Sequence, residues 1–175
     1  KKKKIKNLSG CSYGLRGVFA GGRDPAGNEF DDTIDFVTIA TRANATDFGN
    51  LTEERGGTQG AVSSSTRGIW GGGFTPNQVN KIEFITISSA ANATDFGDLT
   101  VARSGCGRAR STTRGLFASG GTPSAVNTID FITMASEGNA TDFGDTTESM
   151  ANGGQGTSSN TRGVFGGMGP GFFFF

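Results

Sequence analysis

Short segments of this chain alternate between apolar and polar residues, and glycine-rich or polar stretches separate them. In the segment 81–87, Ile82 and Phe84 share one face of an extended chain, Ile85 interrupts the alternation and Ile87 resumes it. A period of two predicts a strand with at least one buried face. No amphipathic segment is longer than about two helical turns. The pattern therefore predicts an all-β protein.

Three sequence blocks recur along the chain with a nearly constant spacing. They are an Arg-Gly-apolar-aromatic block starting at Arg16, Arg67, Arg114 and Arg162, an Ile-acid-Phe block starting at Ile34, Ile82 and Ile129, and the phrase Asn-Ala-Thr-Asp-Phe-Gly starting at Asn44, Asn92 and Asn139. The arginines are 51, 47 and 48 residues apart. The extra residues of the first interval fall between Gly22 and Thr33, where we expect a loop insertion.

Each repeat of about 48 residues predicts four short strands. Strand one is the Arg-Gly block, strand two carries the Ile-acid-Phe block, strand three follows a turn at 92–99, and strand four lies in the Gly/Ser-rich stretch 103–112 and its equivalents. Four-stranded antiparallel sheets of this size are the blades of β-propellers, which bury their faces against neighbouring blades. A β-helix has shorter coils, and a β-sandwich needs no thrice-repeated loop.

Composition narrows the class of protein further. Lysine plus arginine equals aspartate plus glutamate at 16 each, so charge predicts neither nucleic-acid nor membrane binding. No apolar run is long enough to span a membrane, and no signal-peptide core is present. Cys11 and Cys106 occupy non-equivalent places in the repeat, which predicts free thiols. We divide the chain into tandem repeats at 8–168 and tails of doubtful sequence at 1–7 and 169–175.

The order of the blocks resembles that of kelch repeats. The matching residues of the second unit are Gly72-Gly73, Ile82-Glu83-Phe84, Phe96, Arg103 and Gly105. Those of the first unit are Gly21-Gly22, Ile34-Asp35-Phe36, Phe48 and Arg55, and those of the third are Gly120-Gly121, Ile129-Asp130-Phe131 and Phe143, with Met150 near the arginine position. Phenylalanine stands where the family usually has tryptophan. The resemblance implies kelch-like β-propeller blades.

The Asn-Ala-Thr-Asp-Phe-Gly phrase and the Ser/Thr-rich lead into Arg-Gly also resemble kelch-like repeat proteins encoded by marine bacteriophages. That resemblance implies a structural or adhesive module of a virus particle, such as a tail, fibre or decoration component, which contacts host surface glycans. The alternative is a secreted, extracellular, glycosylated repeat protein that forms an assembly or filament. A propeller enzyme acting on carbohydrate is a third hypothesis.

Three full units and part of a fourth fall short of the usual ring of about four to eight blades. Either the chain is part of a longer protein, or copies associate to complete the ring, or the ends share a blade. An open sheet edge invites strand pairing. We therefore expect other copies of the chain or other virion proteins as partners, with no nucleic acid, no membrane span and no cofactor.

The side-chain chemistry favours a protein that is not an enzyme. The chain has no histidine, which removes the usual triads, histidine metal sites and histidine bases. The carboxylates with an equivalent in every unit are Asp35, Asp47, Glu83, Asp95, Asp130 and Asp142. A catalytic pair normally breaks repeat symmetry, whereas a structural hydrogen bond keeps it, so we predict no catalytic and no metal site.

Three other recurrent sets each have two interpretations. Arg16, Arg67, Arg114 and Arg162 form an anion-binding ring or, as we favour, pair with Asp47, Asp95 and Asp142. Phe48, Phe96 and Phe143 stack on sugars or, as we favour, fill the core between blades. Asn44, Asn92 and Asn139 begin N-glycosylation sequons, which carry glycans only if the protein is secreted from a eukaryote.

Overall fold

The computed structural model describes residues 8–57, 60–151 and 155–166. These residues form strands and no helix. The strands are β1 (Ser9–Tyr13), β2 (Arg16–Ala20), β3 (Thr33–Thr38), β4 (Thr46–Asn50), β5 (Gly60–Ser63), β6 (Arg67–Phe74), β7 (Gln78–Thr86), β8 (Thr94–Asp98), β9 (Gly107–Arg110), β10 (Arg114–Gly121), β11 (Ala125–Thr133), β12 (Thr141–Met150), β13 (Gln155–Ser158) and β14 (Gly163–Gly166). The predicted all-β class is confirmed.

The strands pair in chain order into separate antiparallel sheets. Unit 1 is the sheet β1–β4, unit 2 is β5–β8 and unit 3 is β9–β12, and each has four strands as predicted. The turn predicted at 92–99 is wrong, because 94–98 form β8 and pair with β7. Unit 4 consists of β13 and β14 over the described residues. The extra residues of the first repeat lie between β2 and β3, where the loop insertion was expected. The tails at 1–7 and 169–175, together with 167 and 168, lie outside the described residues.

The sheets begin one strand earlier than the sequence pattern predicted. The Gly/Ser-rich stretch was assigned to strand four of the preceding unit, but β5 pairs with β6 and β9 pairs with β10. The reason is local. A tight turn joins each such pair, and in unit 2 the amide of Ser64 donates to the carbonyl of Arg67 at 2.9 Å. A short turn of this kind makes a hairpin with the following strand.

A glycine pair bends β6 where it leaves its register with β7. Gly72 and Gly73 have φ of 69° and 136°, which residues with a Cβ adopt at a cost. A Cβ on Gly72 would also lie 2.4 Å from the carbonyl oxygen of Arg103. In unit 3 the corresponding residues are Ser119, with φ of 55°, and Gly120. The sequence pattern predicts this pair at Gly120 and Gly121, one residue further along the chain than the structure has it.

The hydrophobic core lies between the sheets. One cluster joins units 1 and 2, and its members include Val18, Ile34 and Phe48 from the first unit and Trp70 and Ile85 from the second. No sheet of four strands buries both faces by itself, so each unit depends on its neighbour for a dry interior.

A second cluster repeats this arrangement between units 2 and 3. Ile69, Ile82 and Phe96 of unit 2 pack with Phe117 and Ile132 of unit 3. The two interfaces therefore place equivalent residues in equivalent contacts. This is the physical content of the sequence repeat.

The first strands of successive units also contact each other. β1 contacts β5, β5 contacts β9 and β9 contacts β13. Successive sheets are thus joined along their first strands as well as through their cores.

Within the described residues, no helix has the length and apolar character that crossing a membrane requires.

The glycine that ends the Asn-Ala-Thr-Asp-Phe-Gly phrase provides a test of the stacking. Gly97 and Gly144 both have positive φ, 142° and 133°. A Cβ on Gly97 would lie 2.5 Å from the Gly138 carbonyl of the next unit, whereas a Cβ on Gly144 would meet nothing within 4 Å. We expect Gly97→Ala to destabilise the protein by about 1–3 kcal/mol more than Gly144→Ala, measured by urea unfolding. Equal losses would contradict the contact.

Candidate functional site

The recurrent acid of the Ile-acid-Phe block is the centre of a buried polar site. Glu83 in β7 and Asp130 in β11 are fully buried, each between apolar neighbours on its strand. A buried carboxylate is costly unless it is paired and hydrogen-bonded. In both cases the partners come from the segment that follows the last strand of the preceding unit.

In the first of these sites, Glu83 is held by unit 1. Its carboxylate forms an ion pair with Nη2 of Arg55, and both side chains have no solvent exposure. The other carboxylate oxygen accepts hydrogen bonds from the backbone amide of Thr52, at 3.0 Å, and from its hydroxyl. Nη1 of Arg55 donates to the carbonyls of Gly72 and Lys81 at 3.3 and 3.2 Å. One guanidinium therefore fixes two strands of unit 2.

The second site repeats the arrangement one unit later. Nη2 of Arg103 lies 3.1 Å from Oδ2 of Asp130 and donates to the carbonyl of Phe117 at 3.0 Å. The amide and hydroxyl of Thr100 donate to the same carboxylate at 3.0 and 2.6 Å. Nε and Nη1 of Arg103 have no hydrogen-bond partner within the described chain. Arg103 is thus less fully hydrogen-bonded than Arg55, whose Nη1 donates to two carbonyls and whose Nε alone lacks a partner among the described residues.

We call this arrangement the inter-unit clamp: a Thr-x-x-Arg segment of one unit, Thr52–Arg55 or Thr100–Arg103, around the buried acid of the next, Glu83 or Asp130. Burial raises the pKa of the Glu83 carboxyl, and the Arg55 guanidinium and the Thr52 donors oppose that rise. The clamp therefore offsets a desolvation cost, and it works only when the two units meet in one register.

The clamp is incomplete at both ends of the described array. Asp35 of unit 1 is the equivalent of Glu83, but it is only partly buried and takes part in no ion pair among the described residues. In unit 3, Met150 lies opposite Val126 of β11, just as the amide of Arg103 bonds to Val79 of β7. Met150 therefore occupies the arginine position, after a threonine at 147.

The recurrent asparagines form a second contact between units. Oδ1 of Asn92 accepts a hydrogen bond from the amide of Asn50 at 3.0 Å, and Oδ1 of Asn139 accepts one from the amide of Asp98 at 3.1 Å. Both asparagines are exposed, as is Asn44, which has no preceding unit in the described chain. Two of the predicted sequons thus have a structural use, and glycosylation of all three stays a prediction.

The recurrent arginines of the Arg-Gly block, which lie at the start of the second strand of each sheet, do not pair with the aspartates that the sequence favoured. Arg67 forms its ion pair with Glu137 of the next unit at 2.9 Å and donates to the carbonyl of Met134 at 3.2 Å. Its guanidinium also lies 4.3 Å from the ring centre of Phe84. Asp95 is exposed. The predicted pairing with Asp95 is wrong because the Arg67 side chain extends across its own sheet toward the following unit.

Arg16 also contacts the following unit, whereas Arg114 and Arg162 lack the equivalent contact among the described residues. Arg16 donates to the carbonyl of Ile87 at 2.7 Å and stacks on Phe36. Arg114 stacks on Phe131, with no side-chain hydrogen bond to the described residues. Arg162 is exposed beside β14, and Asp47 and Asp142 are exposed as well.

The recurrent phenylalanines divide by position in the array. Phe48 and Phe96 are each 3% exposed and lie in the two inter-unit clusters. Phe143 makes the same edge-on contact with its strand neighbour, Phe131, but it is 54% exposed. Burial of the recurrent phenylalanine therefore requires the third and fourth strands of the next unit.

Both cysteines are free thiols, as the sequence predicted. Cys106 lies in the cluster between units 2 and 3, and burial raises the pKa of its thiol. Burial likewise raises the pKa of Cys11 to about 12. These thiols serve as small apolar side chains of the core.

Sequence reasoning missed Thr52 and Thr100 and the pairing of Arg55 and Arg103 with the acids. The signal was present in the sequence, because a Thr-x-x-Arg segment begins four residues after Phe48 and four residues after Phe96. Periodicity shows which residues recur, but it does not show that a recurrent pair joins different units.

No protein-family model matches the chain, and no curated protein matches its sequence.

The clamp predicts a specific pattern of stability losses. Arg103→Met leaves Asp130 buried without its cation, and removal of one partner of a buried pair costs about 3–5 kcal/mol. We expect Asp130→Asn, added to Arg103→Met, to recover most of this loss, because the neutral amide still bonds to Thr100. Denaturant unfolding of the two variants measures both effects. Equal stability of the single and double variants would contradict the clamp.

The asparagine contact has a matched control within the chain. We expect Asn92→Ala to lower the free energy of unfolding by about 1 kcal/mol, the usual worth of a hydrogen bond of this kind. Asn44→Ala removes the same side chain where no described unit precedes it and is expected to be nearly neutral. Thermal unfolding of the pair gives the difference. A loss at Asn44 as large as that at Asn92 would assign the effect to the turn itself.

Proposed function

We propose that this chain is a non-enzymatic structural or adhesive repeat module and that its units are kelch-like β-propeller blades. The observation that carries the proposal is the inter-unit clamp. Two of the six recurrent acids considered as catalytic carboxylates, Glu83 and Asp130, are fully buried and bound by Thr-x-x-Arg segments of the neighbouring unit. These two carboxylates therefore hold units together.

The propeller arrangement draws support from the sheets and their contacts. Four-stranded antiparallel sheets follow one another in chain order, and their first strands contact each other from unit to unit. In a propeller the first strands line the shared axis. The glycine pair, the buried acid and the following arginine also occur in the order that resembles kelch repeats.

The proposed location is a virus particle, as a tail, fibre or decoration component. It rests on the resemblance of the Asn-Ala-Thr-Asp-Phe-Gly phrase to repeat proteins of marine bacteriophages. Exposed turns at Asn44, Asn92 and Asn139 offer a row of equivalent positions on the surface, which suits repeated weak contacts with host glycans or with neighbouring virion proteins.

The alternative is a secreted extracellular repeat protein that forms an assembly or filament. The same three exposed asparagines favour it, because each begins a sequon and Nδ2 is not the atom used in the contact with the preceding unit. Glycans at these positions would decorate one side of the array without breaking the Oδ1 hydrogen bonds.

Quantitative mass spectrometry of purified particles and of the surrounding medium distinguishes the two locations. We expect unmodified peptides of this chain in the particle fraction, at several copies per particle. Recovery only from the medium, with hexose-scale additions to peptides that contain Asn44, Asn92 or Asn139, would contradict the virion proposal and favour the alternative.

A further inference from the structure

Among the described residues, a groove between units 3 and 4 leaves apolar side chains exposed. The cavity has a volume of about 890 Å³ and is lined by Leu116, Ile129, Phe143 and Met150 of unit 3 and by Val164 of β14. Phe143 is 54% exposed, whereas its equivalents Phe48 and Phe96 are each 3% exposed in the other two interfaces.

The equivalent space in the first two interfaces is filled by one kind of element. Phe48 belongs to a cluster with Ile85 and Ala93 of unit 2, and Phe96 belongs to a cluster with Ile132 of unit 3. These residues lie on or between the third and fourth strands of the following sheet. The corresponding strands are what the groove beside Phe143 would accept.

Polar groups around the groove point to the same occupant. In the first two interfaces the arginine of the second strand donates to a carbonyl just after the third strand of the next unit, Ile87 for Arg16 and Met134 for Arg67. Arg114, which also lines the groove, donates to no such carbonyl among the described residues. In addition, β14 pairs only with β13 there, whereas β2, β6 and β10 each pair on both sides. An unpaired strand edge accepts a further strand.

The arginine position sets a specificity that the first two interfaces lack. Arg55 and Arg103 neutralise a buried acid of the next unit, but Met150 carries no charge and lines the groove. An acid at the usual place on the incoming third strand would lack the partner that Arg55 and Arg103 provide in the other interfaces, although Arg110, Arg114 and Arg162 also line the groove. Beside Met150 the groove therefore favours an uncharged residue at that place.

We infer that this groove binds a two-stranded segment with the chemistry of the repeat's own third and fourth strands, and that it selects an uncharged residue at the acid position. The segment adds its third strand to the free edge of β14. Its apolar face covers Phe143, and its uncharged residue packs on Met150. This inference deepens the proposed assembly role by naming the partner, and it depends on that role without depending on the location in a particle.

The test appends the strand pair 78–98 to the full chain after residue 175, through a flexible Gly-Ser linker. Tethering is used because an isolated hairpin is only marginally stable in water. Two versions differ at one position: the appended copy keeps its glutamate at the place of Glu83, or carries Glu83→Gln there. We expect the glutamine version to unfold at least about 3 °C above the glutamate version.

Changes in the groove provide the controls. Met150→Arg restores a cation, and we expect it to reverse the order, so that the glutamate version becomes the more stable. Phe143→Ala is expected to remove most of the gain from the appended glutamine segment, relative to the same substitution in the chain without it. No gain from either segment, or an order that Met150→Arg leaves unchanged, would overturn the inference.

Light scattering of the chain without an appended segment tests the competing occupant. We expect the molar mass of the chain in solution to stay the same when Phe143 is replaced by Asp. A dimer that dissociates on Phe143→Asp would show that a second copy fills the groove, which would overturn the hairpin as its occupant. Neither experiment uses particles, so failure of the virion location and failure of this inference are distinguishable.

Discussion

The structure depends on a carboxylate that is buried in one sheet and neutralised by another. Glu83 and Asp130 lie on central strands with no solvent exposure, and each buried charge would be strongly unfavourable without Arg55 or Arg103 from the preceding unit. A polar group that cannot be satisfied within its own unit makes the isolated unit unfavourable. It also makes the register between units specific, because a displaced neighbour would leave the charge unpaired.

The apolar contacts and the clamp act together at each interface. The clusters between units supply most of the favourable burial, but apolar surfaces alone tolerate sliding. The arginine, the threonine donors and the asparagine contact at Asn92 or Asn139 are directional. They fix the position at which burial occurs. This division explains why the repeat preserves polar residues as closely as apolar ones.

The sequence predicted the strands and the repeat because both have short-range signals. Alternation around Ile82 and Phe84 and the glycines at 72 and 73 are visible within a few residues. The prediction from sequence was wrong where a contact joins two units. It paired Arg67 with an aspartate, but Arg67 forms its ion pair with Glu137 of the next unit. The sheet boundaries were also displaced, because periodicity gives the length of a repeat and leaves its starting strand open. The turn at Ser64 decides that start.

Native-state hydrogen exchange on the full chain tests most directly whether each sheet depends on its neighbours. In increasing denaturant, the account predicts that amides of β6 and β7 in unit 2, which has a neighbour on both sides, exchange last, and that units 1 and 3 open before them. It further predicts that loosening either interface raises exchange in both sheets that share it. Sheets that exchange independently, each with its own stability and no effect on the next, would contradict the account.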